Sequence, residues 1–460
     1  MATLSEVIAD RVRALHFEQL PAAVVSTVKA LILDHLGVAA FGSTTAWGKA
    51  VAETLRPLGG TQESSIYFST DKVPALSAAL VNGTFAHGFE LDDHYRGVHA
   101  GCVVIPAGLA VAEREAIDGR GLITAIVCGY EVLARLATAM PHISDNGHHP
   151  TGTIGPFGSA VAAGKILALS PDQFVSAIGI AGNFPTGVCE FYKGTMEKRV
   201  FAGRASQSGI LACLLARSGL TGARTIFEGE VGFCHTFSDH PDVKNLLDGL
   251  GQKFYTEEVN VKRYPCAGTN HPHIDAALAL RDKYKDVLTP RNKVREIVIE
   301  GGKRYRGKDI LNRRRSGVTI PDVMAAQYSI PYAVAVTLCR GRPGVEEFSE
   351  SVIKDPLIQS FLAKCKVVRR EKFRAMGKIT VNFRDGSSVS QTVVDTNLPI
   401  SDIDREAVVQ KFLRLTSNLI DRKRAERVIE TVQNLEGLMD VRQLTEILIP
   451  EASSSEPQQQ

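Results

Sequence analysis

The densest group of polar side chains in the first half of the chain spans residues 90–101, directly before an apolar run. Three carboxylates, two histidines, a tyrosine and an arginine stand within ten residues there. They supply proton donors, proton acceptors and an anion contact, and a loop at the mouth of a helical bundle would aim them into one pocket. In the alternative, the aspartates cap helices and His99 is an ordinary loop residue. The site candidates in this segment are Asp92, Asp93, His94 and His99.

A second cluster contains His148, His149 and Pro150 and is followed by a glycine-rich stretch up to Ser159. Glycines let the backbone approach a ligand, and a helix that opens at Ser159 would present free N–H groups to a carboxylate. His149 is therefore a candidate catalytic residue. The competing interpretation is a turn between two helices, with both histidines in solvent.

The third cluster spans residues 196–205, where Glu197, Lys198, Arg199 and Arg204 lead into an apolar helix. Charges at the edge of a buried helix are costly unless they are paired or face a ligand. We therefore expect Lys198 and Arg204 to hold substrate carboxylates. The alternative is a solvated first turn, especially for Arg199.

The fourth cluster spans residues 262–273, at the expected junction of two domains, where ligand sites are common. It supplies the candidates Lys262, Cys266 and His271. A thiol protease is not indicated, because nothing around Cys266 resembles a protease nucleophile. A metal site is not indicated either, since no histidine pair has the helical ligand spacing backed by a second carboxylate motif.

Composition excludes several classes of protein. The 460 residues include 53 Lys and Arg against 50 Asp and Glu, so the net charge is only +3. That balance argues against a dedicated nucleic-acid binder, and we interpret the basic runs at 303–308 and 313–315 as a solvated face or an entrance for an anionic substrate. The eight cysteines form no C-x-x-C pair, which indicates neither a zinc ribbon nor a disulfide framework.

The sequence predicts a cytoplasmic protein without a membrane segment. Its apolar stretches fall short of the roughly 18 residues that a spanning helix needs. The N-terminus has no apolar signal core, and Glu6 and Asp10 argue against a transit peptide.

Hydrophobic periodicity predicts a mainly α protein of two domains. Helical spacing dominates from Leu4 to about residue 250 and resumes after Pro399. Between them, strands are expected at 295–302, 378–383 and 389–394, the last two joined by an Asp-Gly turn. We therefore predict a helical domain at 1–264 and 399–450, a smaller α+β domain at 265–398 and a disordered tail at 451–460.

Over about residues 4–450, the ordered set of clusters resembles the MmgE/PrpD family. The matching pieces are Glu90-Leu-Asp-Asp93 with His99 and Val104-Ile-Pro106-Ala107, His149-Pro150 with Gly155 and Leu169-Ser170-Pro171, Lys198-Arg-Val with Ala202-Gly-Arg-Ala205, and Tyr264-Pro-Cys266 through His271. The resemblance implies a large all-helical domain built from both chain ends, an inserted α+β lid, a homodimer, and a site in the cleft that needs no cofactor or metal. The implied partner is a small-molecule polycarboxylate, with no nucleic acid and no membrane.

The same resemblance assigns roles by position. It implies the catalytic residues Asp93, His99, His149 and Lys198. It implies the substrate contacts Asp92, His94, Arg204, Lys262, Cys266, His271 and Tyr328. The chain departs from common family patterns at His94-Tyr95, at Ala100 and at Phe201. These departures bear on the substrate more than on the class of reaction.

Removal of a proton next to a carboxylate builds negative charge, so such a site needs a base, fixed cations and an acid for the departing group. We expect His149 or His99 to be base or acid, Lys198 and Lys262 to stabilise charge, and Asp93 to orient a histidine or protonate a leaving hydroxyl. The first hypothesis is a lyase of a citrate-like polycarboxylate. Within it, a hydro-lyase like 2-methylcitrate dehydratase ranks first and a carboxy-lyase like cis-aconitate decarboxylase ranks second. The alternative is an epimerase of an iminodisuccinate-like substrate, and a non-catalytic binding protein ranks third.

Overall fold

The computed structural model of the protein describes residues 2–145, 147–284, 293–301, 318–369, 377–395, 399–400 and 404–450. Two predictions fall outside these residues. They concern the basic runs at 303–308 and 313–315 and the tail at 451–460.

Helices dominate the described residues, which confirms the mainly α fold class. The helices of the first part are α1 (Leu4–Ala14), α2 (Ala22–Ser43), α3 (Ala46–Leu55), α4 (Ala75–His87), α5 (Gly101–Glu115), α6 (Gly119–Ala139), α7 (Pro150–Ile166), α8 (Pro171–Ala181), α9 (Lys198–Arg217), α10 (Phe233–Phe237) and α11 (His271–Lys283). Those that follow are α12 (Val323–Tyr328), α13 (Ile330–Arg340), α14 (Glu350–Ile353), α15 (Pro356–Leu362), α16 (Arg405–Thr416), α17 (Arg422–Gln433) and α18 (Arg442–Ile447).

Small residues let the helices that carry the site approach one another closely. Helix α9 packs against α4, α5 and α7. Where α4 meets α9, a Cβ atom on Gly83 would lie 2.7 Å from the Cα atom of Gly203. A Cβ atom on Gly203 would lie 2.1 Å from the carbonyl oxygen of Leu80. A larger residue would push the start of α9, which carries Lys198, away from the end of α4.

Helices α2 and α6 are long and apolar enough to cross a membrane by length and composition. Within the most apolar window of each, 78% of α2 and 94% of α6 is buried inside the fold. Burial of this extent is typical of core helices, which are apolar on most sides because they are surrounded by other helices.

The smaller sheet has the strand order β4-β3-β5-β6. Its strands are β3 (Val294–Gly301), β4 (Cys365–Arg369), β5 (Gly377–Phe383) and β6 (Ser388–Val393), and a separate pair contains β1 (Ser64–Ser65) and β2 (Lys72–Val73). Strand β3 pairs parallel to β4 and antiparallel to β5, and β5 and β6 form a hairpin. Gly386 supplies the positive φ of 87° at the hairpin turn. The predicted strands are confirmed.

Buried hydrophobic side chains form two main clusters in the described chain. The larger draws on residues 8–261 and 400–448, and the second on residues 89 and 264–393. The boundaries of the two predicted domains, and the insertion of one into the other, stay predictions.

The prediction that the helix after His149 opens at Ser159 is wrong. Helix α7 begins nine residues earlier, at Pro150, with His149 as its N-cap. Its glycines lie within the helix, where a Cβ atom on Gly158 would meet Leu133 Cγ at 2.4 Å. The glycine-rich pattern therefore serves helix packing, and the N-terminus of the helix, with its N–H groups, lies directly after His149.

Candidate active site

The segment 90–93 leaves the end of α4 through a sharp turn. Glu90 has a φ of 57°, a left-handed conformation that costs a non-glycine residue on the order of 1 kcal/mol or more. Glu90, Asp92 and Asp93 are all buried. This turn therefore buries three carboxylates within four residues, and each has a different set of partners.

Glu90 is surrounded by cations. Its Oε1 atom contacts Lys198 Nζ, lies 3.1 Å from Arg199 Nη1 and accepts a hydrogen bond from Tyr328 OH at 3.2 Å. Lys262 Nζ lies 2.9 Å from Oε2. Three buried cations therefore share this carboxylate, which leaves local positive charge for an anionic ligand.

Burial weakens the hold of both lysines on their protons. Burial, reinforced by the charges of Arg199 and Lys262, lowers the pKa of Lys198 well below its ordinary value. Burial also lowers the pKa of Lys262, against the opposing effect of Asp92. A bound carboxylate would raise both pKa values, because an opposite charge favours the protonated amines.

Asp92 lies between two histidines. His87 Nδ1 is hydrogen-bonded to Asp92 Oδ2 at 2.7 Å, and His99 Nδ1 lies 3.1 Å from the same oxygen. Burial opposes ionisation of Asp92, but the neighbouring His99, His87 and Lys262 outweigh it and hold the pKa of Asp92 well below its ordinary value. Burial lowers the pKa of His87 to about 3.

His149 lies next to His87 and is surrounded by aromatic rings. Its ring centroid lies 5.6 Å from that of His87, 5.4 Å from that of Phe191 and 5.5 Å from that of Phe201. Burial, then the neighbouring histidines, lower the pKa of His149 well below its ordinary value. Its Nδ1 accepts a hydrogen bond from the backbone N–H of Gly152 at 3.3 Å. The neutral ring therefore carries its proton on Nε2.

Asp93 has only uncharged partners among the described residues. Tyr130 OH donates to its Oδ2 at 2.6 Å, and the backbone N–H of Gly101 donates to Oδ1 at 2.8 Å. Burial raises the pKa of Asp93 to about 6, against these two hydrogen bonds. The histidine contact that we expected of Asp93 is made by Asp92 instead, because successive side chains of this segment point in different directions.

A cavity of about 530 Å³ opens between these groups, a volume suited to a small organic molecule. The candidates that line it are His94, His99, His149, Lys198, Lys262 and Tyr328, together with Glu90. Burial, then the charge of Lys262, lower the pKa of His94 to about 3. The structure thus brings together side chains from all four sequence clusters.

Arg204, Cys266 and His271 do not line this cavity. Arg204 is exposed and donates to Gln207, because six residues along α9 rotate it away from Lys198. Cys266 is buried, and burial raises the pKa of its thiol. His271 Nε2 lies 3.1 Å from the carbonyl oxygen of Tyr264 and burial lowers its pKa. Substrate contacts for these three residues find no support in the geometry.

The residue-by-residue prediction missed four members of the site: His87, Glu90, Tyr130 and Arg199. Glu90 belongs to the first cluster, but the prediction gave site roles to the neighbouring aspartates and none to Glu90. Arg199, for which the alternative was a solvated first turn, is buried and donates to Gln327 Oε1 at 2.9 Å. The signal for Arg199 was its place beside Lys198, whereas nothing local marked His87 at the end of an apolar helix.

Lys411 on α16 connects two segments of the candidate active site through hydrogen bonds to their backbones. Its Nζ donates to the carbonyl oxygen of Leu91 at 2.7 Å and to that of Lys262 at 2.9 Å. It also pairs with Asp34 Oδ1 at 2.7 Å. The backbone between Glu90 and Asp92 is thereby fixed relative to the backbone of Lys262.

His87, Asp92 and His99 also offer nitrogen and oxygen atoms within 4.8 Å of one another, a set that could hold a metal ion. Both Nδ1 atoms, however, approach the same oxygen of Asp92. That placement is typical of histidines paired with a carboxylate, here through a hydrogen bond from His87 and a close contact of His99, since ligands of a metal ion spread around it.

Two family models match the chain. The MmgE/PrpD N-terminal domain matches residues 6–246, and the MmgE/PrpD C-terminal domain matches residues 264–437. A cis-aconitate decarboxylase of Aspergillus terreus is 26% identical over 460 residues, which cover 94% of this chain and 93% of the relative. A human cis-aconitate decarboxylase is 27% identical over 483 residues, covering 99% and 98%. A cis-aconitate decarboxylase-like protein of Aspergillus oryzae is 27% identical over 457 residues, covering 93% and 94%.

Proposed function

Because the chain belongs to the MmgE/PrpD family, we propose that it is a lyase that acts next to a carboxylate of a citrate-like polycarboxylate, with cis-aconitate as the substrate. The observation that carries this proposal is the convergence of Lys198, Arg199 and Lys262 on Glu90, which lines the cavity together with both lysines. The names of the relatives favour loss of carbon dioxide over loss of water.

The cations supply the binding energy for a polyanion. Lys198 and Lys262 line the cavity and are both engaged by Glu90. A substrate carboxylate that enters would share or replace these contacts. Charge-assisted hydrogen bonds inside a water-poor cavity are stronger than those in solvent, so the substrate would be held by its carboxylates and oriented by the fixed lysines.

Two histidines have tautomers suited to opposite tasks. His149 accepts at Nδ1, so its Nε2–H can donate a proton. His99 Nδ1 lies 3.1 Å from Asp92 Oδ2, and with its proton on that nitrogen its Nε2 would be an acceptor. Bound carboxylates raise the pKa of His149, because negative charge favours the imidazolium ion. We therefore assign His149, in that protonated form, as the general acid and His99, beside Asp92, as the general base.

In decarboxylation, the bond from carbon to a carboxylate breaks and its electron pair passes through the adjacent double bond. The far alkene carbon then takes a proton, which His149 supplies, and carbon dioxide leaves. Lys198 and Lys262 stabilise the charge that spreads onto a remaining carboxylate. In a dehydration, His99 would instead remove a proton next to a carboxylate, and the departing hydroxyl would take a proton from His149 to leave as water.

Proton NMR in deuterium oxide tests the reaction with cis-aconitate, 2-methylcitrate and iminodisuccinate as separate substrates. We expect cis-aconitate to lose carbon dioxide with one deuteron incorporated in the product. Loss of water from 2-methylcitrate would move the assignment to a hydro-lyase, and exchange without net conversion of iminodisuccinate would move it to an epimerase. No reaction with any of the three would refute this substrate class.

The role of His149 is tested by His149→Ala, with His148→Ala as the matched control on the adjacent residue. Loss of a general acid typically costs about 100-fold or more in kcat. We expect that loss in His149→Ala, at unchanged folding by circular dichroism, and near-normal turnover in His148→Ala. Full activity of His149→Ala would remove His149 from the mechanism.

We further propose that the protein is a cytoplasmic homodimer in which the part at 265–398 closes over the helical part, and that turnover needs no added cofactor. Light scattering of the purified protein gives the oligomeric state. Activity that survives dialysis against a chelator supports the last point, and activity restored only by a divalent metal would direct attention to His87, Asp92 and His99.

A further inference from the structure

A second cavity, of about 330 Å³, lies on the other side of the segments that carry Glu90 and Lys262. Leu91 and Arg263, which are the sequence neighbours of those two residues, line it. Its other walls come from α16 and from the loop that follows α13. This cavity shares no lining residue with the candidate active site among the described residues.

Four basic residues line the second cavity, and two of them are already neutralised. Arg263 forms a two-pronged ion pair with Asp275, in which Nη2 lies 2.7 Å from Oδ2 and Nη1 lies 3.2 Å from Oδ1. Lys411 pairs with Asp34. These pairs leave Arg342, on the loop after α13, and Arg414, on α16, as the remaining basic residues of the cavity.

Arg342 and Arg414 are the remaining two, and no carboxylate of a described residue pairs with either. The guanidinium of Arg342 lies over the ring of Tyr264, 4.9 Å from its centroid. Tyr264 OH in turn donates to Asp275 Oδ1 at 2.7 Å. Arg342 is therefore held in place by an aromatic ring that is itself fixed.

The charge of Arg342 acts on Arg414 across the cavity. Partial burial, then the charge of Arg342, lower the pKa of Arg414 below its ordinary value. Two carboxylates also line the cavity, but Glu347 is engaged by Arg340 Nε at 3.2 Å and by the backbone N–H of Gly344 at 2.8 Å. Glu346 is exposed to solvent, as are Arg342 and Arg414, so all three reach the cavity from its open side.

We propose that this second cavity binds a small polyvalent anion, with carboxylate or phosphate groups, between Arg342 and Arg414. Guanidinium groups recognise both kinds of oxyanion through paired N–H donors. Such an anion would relieve the repulsion between the two arginines and join the loop after α13 to α16. Lys411 lines the same cavity and donates to the carbonyls of Leu91 and Lys262, so a bound anion would also steady the segments of the active site.

Titration calorimetry at constant ionic strength tests the site with inorganic phosphate and with citrate as probes. The test variant is Arg342→Gln/Arg414→Gln. The matched control is Lys354→Gln/Lys423→Gln, which removes the same charge from exposed positions on the same two parts of the chain. We expect the control to bind like the wild type, and the test variant to lose one bound anion or to bind it at least about ten-fold more weakly.

Binding to phosphate alone, to citrate alone or to both would each support the site and would identify which oxyanion it selects. Equal stoichiometry and affinity in the test variant and the control would overturn the proposal, as would a wild type that binds neither probe. Citrate bound at the candidate active site remains in the test variant, because Lys198 and Lys262 are intact. The outcome is independent of the proposed function, since neither measurement requires turnover.

Discussion

Glu90 and Asp93 belong to one turn of the chain, and both are buried, yet their partners differ in kind. Glu90 meets Lys198, Arg199 and Lys262, which are all cationic groups. Asp93 meets a phenol and a backbone amide, which are both neutral in the described structure. One carboxylate therefore balances positive charge, and the other, with a pKa raised to about 6 by burial, gains or loses a proton near neutral pH.

This difference shows that the role of a buried carboxylate depends on its neighbours and not on its place in a motif. The same holds for the cations. Lys262 faces the candidate active site, whereas Arg263, the next residue, faces the second cavity. The candidate active site and the second cavity are lined by the same two segments, which carry Glu90 and Lys262. Substitutions in and around these segments can therefore separate the effects of the two sites.

The largest effect is expected for Glu90→Gln, which leaves Lys198, Arg199 and Lys262 buried without their shared charge. Removal of one partner from a buried ion cluster costs up to roughly 5 kcal/mol, and we expect the variant to lose the proposed lyase activity as well. Urea unfolding and an activity assay measure both losses. Glu197→Gln, at an exposed position beside the cluster, is the control. Unchanged stability of Glu90→Gln would contradict the idea that Glu90 neutralises these cations.

A smaller effect is expected for Lys411→Met, which removes the donor shared by the carbonyls of Leu91 and Lys262 and leaves Asp34 without its partner. Burial already raises the pKa of Asp34, against the effect of Lys411, so protonation can relieve part of the cost. We expect a loss of roughly 3 kcal/mol in unfolding free energy. We also expect about ten-fold lower kcat with little change in KM, because the lysines and histidines lose alignment.

The control for that experiment is Lys423→Met on the exposed face of α17. A positioning role also predicts partial rescue of kcat by Lys411→Arg, which keeps the charge and the donors. Equal losses in kcat for the arginine and methionine variants would argue for a packing role alone.

The smallest effect is expected for Asp93→Asn and concerns pH. The folded pKa of Asp93 is about 6, above the ordinary value of 3.8, so the folded state binds the proton more tightly than the unfolded state. The stability that this proton contributes is fully present below pH 3.8 and is lost as pH rises through about 6. Each pKa unit corresponds to about 1.4 kcal/mol.

Urea unfolding of the wild type and of Asp93→Asn from pH 3 to pH 8 measures this difference. The advantage of the wild type should shrink between pH 3.8 and about 6 and then stay constant. A difference that does not change with pH would show that Asp93 keeps one protonation state throughout this range.

The helices, the strand hairpin and the four motif clusters were predictable because they depend on short-range patterns. Apolar spacing determines which face of a helix is buried, and the Asp-Gly pair determines the turn at Gly386. The start of α7 at Pro150 was missed because glycines in a close-packed helix look like glycines in a loop when only the sequence is considered.

The sequence by itself determined the family, the mainly α class and most residues that line the cavity, since those residues stand in contiguous motifs. Only the tertiary structure decided which carboxylate meets which partner. His87, Arg199 and Tyr130 reach the site from three separate helices, and Lys411 joins it from α16. Contacts between residues so far apart along the chain depend on how the helices pack, and no local spacing records them.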